Sequence, residues 1–242
     1  MELRGRIALI TGAGGGIGRE TAVALAKAGV KVVLFGGNNI IKLRETAEKV
    51  KEQGAECWTY PCNLTNYELV KSNFERAMQD VGGLDILINN AGVAFNAPFE
   101  DTSLDKFEQV MAINVTVPYY LTQCALPYLK KSQRASIINL ASVVAHAGYS
   151  GQIAYTASKH ALLGFTKALA TELYSEGIRV HAISPGGVYT DMIKVARPDL
   201  TGEGMIMPEE IADIVMFLLK NRGNAVVDEI IVHRVNKQPF LV

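Results

Sequence analysis

Short apolar runs rich in β-branched residues alternate with stretches of helical periodicity along nearly the whole chain. The runs are RIALIT (6–11), VKVVLF (30–35), AECWTYPC (55–62), LDILIN (84–89), ASIINLAS (135–142), IRVHAIS (178–184) and VVDEIIV (226–232). Several lack polar alternation, which suits strands covered on both faces. Between them the periodicity predicts helices at 17–28, 39–53, 66–80, 103–131, 152–176 and 208–220. Pro118 and Pro127 predict a kink or break in the fourth of these, and Pro208 before Glu209 and Glu210 makes a good first turn for the last. Strand–helix alternation of this kind predicts an α/β fold, a single doubly wound parallel sheet of about seven strands flanked by helices on both faces. With no linker or repeat in view, residues 1–242 are expected to form one domain. Only the stretch at 186–207 shows no clear element, and it is expected to act as a short substrate lid.

Lys+Arg and Asp+Glu are equal at 24 each. A nucleic-acid partner is therefore not expected, since phosphate neutralisation needs a basic excess. Cys57, Cys62 and Cys124 show neither a C-x-x-C spacing nor an even count, so no disulfide framework and no metal site is expected. No apolar run approaches the roughly 18 residues of a membrane helix, and the apolar stretch near the N-terminus is too short for a signal segment. The expectation is a soluble, cytoplasmic protein with no membrane partner.

The first strand runs into TGAGGGIG at 11–18, and a helix follows. Glycines at such a turn let backbone N–H groups approach a pyrophosphate, and the helix N-terminus favours its charge. Gly12, Gly14, Gly15, Gly16, Ile17 and Gly18 are the candidate contacts. A glycine loop by itself can be only a tight turn; its place in the first βα unit makes a dinucleotide the better reading.

Thr11, Gly12, Gly16 and Gly18 match TGxxxGxG, and here the chain resembles the short-chain dehydrogenase/reductase family, whose domain is a Rossmann fold. The resemblance continues in order through NNAG at 89–92, Asn114, Ser142, the YTASK run holding Tyr155 and Lys159, and the Pro185–Gly186 turn. It implies that Asn90, Ala91 and Gly92 lie beside the adenosine ribose. It also implies that Pro185, Gly186, Val188 and Thr190 contact the nicotinamide side, and that Leu64 and its neighbour Asn63 face the adenine. Asn63 stands where the family usually has an acid, and its amide oxygen is expected to accept the adenine amino group. After the second strand the sequence reads FGGNN, without an acid between Glu20 and Glu45. An acid there would bind the 2′-hydroxyl of NAD and repel the 2′-phosphate of NADP. Its absence favours NADP, but Gly37 supplies no base, so NAD stays open; Asn38, Asn39, Arg19 and Lys42 are the local candidates.

Tyr155 and Lys159 lie one helical turn apart. A tyrosine–lysine pair at this spacing is commonly a surface pair; the other motifs make it catalytic by resemblance. A free phenol has a pKa near 10, and a neighbouring ammonium together with an oxidised nicotinamide is expected to lower it. In the reducing direction the resemblance implies that Tyr155 protonates the carbonyl oxygen and Ser142 stabilises the developing charge. By the same resemblance, Lys159 is expected to hold the nicotinamide ribose as well, and Asn114 to bind a water that relays protons to Lys159. Ser142, His146, Tyr149, Gln152 and Tyr189, with Phe95, are expected to line the substrate pocket. Met192, Ile193, Met205, Ile206 and Met207 make the lid apolar, which favours a non-polar or acyl-like substrate. The length and the LRGRIALITG start resemble 3-oxoacyl-[acyl-carrier-protein] reductases, whereas the VVDEIIVHRVNKQPFLV ending departs from them. The expected activity is oxidoreduction of a small-molecule carbonyl or secondary alcohol with NADP or NAD. The alternatives are a cofactor-binding protein of the same fold without turnover, or an epimerase or dehydratase. The resemblance further implies a homodimer or homotetramer built on the helices at 103–131 and 152–176.

Overall fold

In a computed structural model, which describes residues 3–37, 39–196 and 201–238, the seven apolar runs join one parallel sheet. The strands are β1 (Ile7–Thr11), β2 (Lys31–Phe35), β3 (Cys57–Tyr60), β4 (Ile86–Asn89), β5 (Ser136–Leu140), β6 (Arg179–Pro185) and β7 (Glu229–Val232). Their order is β3-β2-β1-β4-β5-β6-β7. The chain starts in the middle, winds outward through β3, then returns and winds the other way from β4. The reversal between β1 and β4 opens a crevice at the carboxyl ends of the strands, where open α/β sheets bind ligands.

Successive strand residues feed opposite layers, as a period of two requires. Ala8, Ile10, Val32, Leu34, Ile86 and Ile88 pack under α1 (Gly16–Lys27) and α2 (Ile40–Glu52), through residues such as Leu25 and Leu43. Leu9, Val33, Phe35, Leu87 and Ile137 face Phe74 of α3 (Tyr67–Val81) on the other side. The expected long helix at 103–131 is three pieces: α4 (Leu104–Met111), a π-helical stretch (Ala112–Thr116) and α5 (Val117–Leu129). The break falls on the π turn just before Pro118, while Pro127 is carried inside α5. α6 (Ile153–Leu173) completes that layer. The stretch at 186–207, expected to lack regular structure, contains the short helix α7 (Asp191–Ala196) and a parallel bridge between Val188 and Ile206. α8 (Pro208–Lys220) starts where the Pro-Glu-Glu signal placed it, and Glu210 caps it by accepting from the Met207 N–H at 2.6 Å. Among the described residues no helix is long and apolar enough to cross a membrane.

Candidate active site

The carboxyl ends of β1, β4, β5 and β6 open into one cleft of about 1160 Å³. Pockets for a single drug-sized ligand reach about 1,000 Å³, so this one has room for a dinucleotide and a small second molecule. At its floor, Gly15 precedes α1 without a side-chain cap, and the first turn of α1 has no acidic residue. The uncapped N–H groups and the helix dipole together favour an anion there. A Cβ at Gly15 would meet nothing within 4 Å, whereas one at Gly12 would lie 2.8 Å from Ala91 Cα. At Gly18 it would lie 2.5 Å from the Gly12 carbonyl oxygen, and at Gly16 2.9 Å from Thr190 Cγ2. Gly15 leaves the cradle open, while Gly12, Gly16 and Gly18 allow its walls to close up. Gly14 turns its carbonyl to Arg19 Nη2 at 2.9 Å. An uncapped glycine cradle under an open cleft fits a pyrophosphate.

The cradle is fastened to β4. The Thr11 hydroxyl accepts from the N–H groups of Asn90 and Ala91, each at 3.0 Å. Asn90 Nδ2 donates to the carbonyls of Thr11 at 2.9 Å and Gly12 at 3.2 Å. Asn90 is thus a clamp on the loop, and Ile17, Ala91, Gly92, Pro185, Gly186, Val188 and Thr190 all line the cleft.

At the far end, Gly37, Lys42, Asn63 and Leu64 form the wall. Asn38 lies outside the described residues. Arg19 does not reach this wall as a free cation: it pairs with Glu45 at 3.1 Å and donates to Thr46. Asn39 caps α2 by accepting from the Lys42 N–H at 3.0 Å. Lys42 does reach the wall, with its ammonium on Asp191 of α7 at 2.5 Å, and that contact holds the Asp191 carboxyl below its usual range. Asn63 departs from expectation. Its Oδ1 accepts from the Thr65 N–H at 3.1 Å and the Thr65 hydroxyl at 2.9 Å, so both lone pairs are used and its NH₂ is left for a ligand.

The reacting groups gather at the end of β5. Ser142 leads into a 3-10 turn (Val143–Ala145), donating to the Pro185 carbonyl at 3.3 Å and accepting from the Val144 N–H at 3.4 Å. Tyr155 and Lys159 rise from the first turns of α6 into the same cleft. Lys159 Nζ donates to the Leu140 carbonyl at 2.6 Å and stands 5.7 Å from the centre of the Tyr155 ring. Burial pushes its pKa down to about 8. Burial also pushes the Tyr155 phenol up, and a hydrogen bond with Ser142 pulls it part of the way back. This corrects the part of the expectation that rested on Lys159. The ammonium is turned to a backbone carbonyl, and among the chain's own groups desolvation is the larger influence on the phenol.

Asn114 is fully buried in the π turn. Its Oδ1 accepts from the Val93 N–H at 2.8 Å, and its Nδ2 donates to the Val93 carbonyl and the Ser158 hydroxyl, both at 2.9 Å. The amide is spent joining the loop after β4 to α6.

The expected substrate residues divide. Ser142, Tyr149 and Gln152 line the cleft; His146, Tyr189 and Phe95 do not. His146 Nε2 instead donates to Glu229 Oε1 at 2.6 Å, and the Ser184 hydroxyl donates to the same oxygen at 2.5 Å. Tyr189 lies against Gly202, with Lys194 Nζ 4.6 Å from its ring centre. Ile193 and Met205 of the 186–207 stretch do reach the cleft, whereas the Met192 side chain lies outside the described residues. The sequence reading missed His233, Arg234, Lys237 and Gln238, which close the cleft from beyond β7. Their signal was available: polar residues directly after the carboxyl end of a strand.

Comparison with known proteins gives the same picture. Residues 6–201 match the short chain dehydrogenase family. The 3-oxoacyl-[acyl-carrier-protein] reductase FabG of Aquifex aeolicus is 33% identical over 239 residues, with 96% of each chain covered. A dehydrogenase/reductase structure from Sinorhizobium meliloti 1021 superposes with a TM-score of 0.87 at 29% identity, covering 96% of this chain and 95% of that one. Carveol dehydrogenase from Mycobacterium avium, solved in complex with NAD, gives 0.86 at 25% identity, with 96% of both chains covered.

Proposed function

The chain belongs to the short-chain dehydrogenase/reductase family, and from that premise we propose that it interconverts a small 3-oxoacyl-like carbonyl compound and its alcohol. A nicotinamide dinucleotide bound over the glycine cradle supplies or accepts the hydride. The observation that carries this reading is the meeting of Ser142, Tyr155 and Lys159 across one cleft from that cradle.

The proton chemistry belongs to the chain. Tyr155, pushed above its ordinary pKa, keeps its proton at neutral pH and is set to give it to a carbonyl oxygen. Ser142 offers a second hydrogen bond to that oxygen, where charge develops. Lys159, cationic below about pH 8, has donors beyond the one given to Leu140 with which to hold a ribose hydroxyl. Gly92 lies beside it: a Cβ there would be in ordinary contact with Lys159 Nζ at 3.6 Å and tight against Asn114 Oδ1 at 3.3 Å. The wall of Val143, Val144, Tyr149 and Met205 suits the acyl part.

NADP is the proposed form. No carboxylate follows β2, a Cβ at Gly37 would meet nothing within 4 Å, and Lys42 is the cation at hand. The proposed assembly is a dimer or tetramer through α5 and α6, where Tyr119 packs tilted against Phe165, ring centres 5.7 Å apart, while remaining 53% exposed.

Titrating NADPH and NADH separately, then assaying 3-oxoacyl and other ketones with the tighter one, tests the reading. Tighter binding of NADPH with turnover of 3-oxoacyl compounds is the expected result. Dinucleotide binding without turnover of any carbonyl would favour a binding protein instead.

A further inference from the structure

The catalytic end of the cleft carries an excess of positive charge. Arg234 and Lys237 line it from beyond β7, beside His233, and Lys159 lies at its base. Asp191 is the only carboxylate on the wall among the described residues, and it is already on Lys42. Glu229, the nearest acid on β7, faces away to His146 and Ser184. Arg234 is half-buried, and among the described residues its guanidinium has no hydrogen-bond or ion-pair partner. A guanidinium unspent on the chain's own groups, on the wall of a binding cleft, is available to pair with an anionic ligand.

Its position is fixed by the strands. The Gly186 N–H donates to the Val232 carbonyl at 2.8 Å, which places Arg234 two residues past that contact. Ser142 donates to the carbonyl of Pro185, one residue before Gly186. The Arg234 side chain runs past Gly187, where a Cβ would be 3.5 Å from its Cδ and 3.7 Å from its Nε. One short stretch of β6 exit therefore touches the candidate catalytic serine on one side and the arginine on the other. Met205 Cε, 3.1 Å from the same Cβ position, covers the span between with an apolar surface.

Resting on the oxidoreductase reading above, we infer that the substrate is an anionic ketone whose carboxylate or phosphate is bound by Arg234, with Lys237 adding charge at the mouth. A planar guanidinium matches either anion through two parallel hydrogen bonds. Ser142 and Tyr155 take the ketone oxygen, the Met205 wall takes the neighbouring carbons, and Arg234 takes the anion.

The test compares a free 3-oxo acid, its methyl ester and the corresponding coenzyme A thioester on the wild type, Arg234→Gln and Arg234→Lys. The wild type is expected to prefer the acid or the phosphate-bearing thioester to the neutral ester; which of the two wins identifies the source of the anion. In Arg234→Gln, kcat/KM for the preferred anion should fall about 100-fold, mostly through KM, as for loss of one member of a buried charge pair. The ester should change less than threefold, and Arg234→Lys should recover part of the loss. Dinucleotide affinity, measured by calorimetry, should not move. Equal losses for anion and ester, or a loss confined to dinucleotide affinity, would overturn the inference. Calorimetric binding of the acid in the presence of dinucleotide is read separately. If the acid binds tightly and in an Arg234-dependent way but no ketone turns over, the proposed reaction fails and the anion site stands. Turnover without anion preference does the reverse.

Discussion

At the glycine-loop end of the cleft, a Cβ on Gly12 or Gly18 would run into backbone at 2.8 and 2.5 Å; at the other end, a Cβ on Gly187 would meet only flexible side chains, Met205 at 3.1 Å and Arg234 at 3.5 Å. The polar groups differ in the same sense. Thr11 and Asn90 spend their hydrogen bonds on tying the glycine loop to β4. Arg234, Tyr149 and Gln152 at the other end stand on turns, with no side-chain hydrogen bond among the described residues. A ligand that is the same in every turnover can be met by fixed backbone. Under the proposed function, selectivity among ketones is left to side chains that can be exchanged without disturbing the sheet.

Substitutions at the two ends test this contrast. Gly18→Val should be the most damaging, because neither the Gly12 carbonyl nor the Asn90 clamp can give way. A stability loss of about 3 kcal/mol in denaturant melts is expected, together with loss of dinucleotide binding. A folded variant with wild-type affinity would break the comparison.

Next in size is the effect of Lys159, at the boundary of the two ends. Its folded pKa, about 8, lies below its ordinary 10.5. Below pH 8 both folded and unfolded states hold the proton, and the burial penalty is fully present. Between about 8 and 10.5 the unfolded chain holds more protons, so stability from this group rises with pH. Relative to Lys159→Met, the wild type should gain on the order of 1–3 kcal/mol across that window. A stability difference independent of pH would show that the ammonium is not desolvated.

Asp191→Asn has a smaller expected effect. Releasing Lys42 from an exposed ion pair should strengthen NADPH binding relative to NADH by up to about fivefold, in line with the modest worth of such pairs. An unchanged ratio would remove Lys42 from the 2′-phosphate site. Smallest of all is Gly187→Ala, where the Met205 thioether can swing aside: a stability change within about 0.5 kcal/mol is expected. A loss as large as that of Gly18→Val would erase the difference between the ends.

The glycine loop between β1 and α1 was legible in the sequence, because it is made of local signals: glycines at a strand–helix turn, and apolar runs of fixed period. The doubly wound parallel sheet followed from strand–helix alternation, but its strand order did not. What the sequence reading misplaced depends on contacts across the sheet. His146 follows Ser142 by four residues, yet Glu229, 83 residues further on, decides which way it faces. The resemblance implied that Asn114 holds a water, but its amide is taken up by Val93 and Ser158. The long helix broke at a π turn, where the backbone admits the Asn114 side chain to the loop after β4, and proline content alone did not locate that point. The expected help from Lys159 to the phenol assumed an ammonium aimed at the oxygen; the Leu140 carbonyl and the loss of solvent reverse that balance. Arg234 was passed over because it follows the last strand, in a tail that matches no family motif.

The central claim is that the Tyr155 hydroxyl is the proton donor in a cleft whose dinucleotide end works independently of it. Tyr155→Phe removes only that oxygen. Turnover of the best ketone should drop by about 10²–10⁴-fold, with calorimetric dinucleotide affinity unchanged within twofold. Turnover near the wild-type rate in that variant would contradict the account.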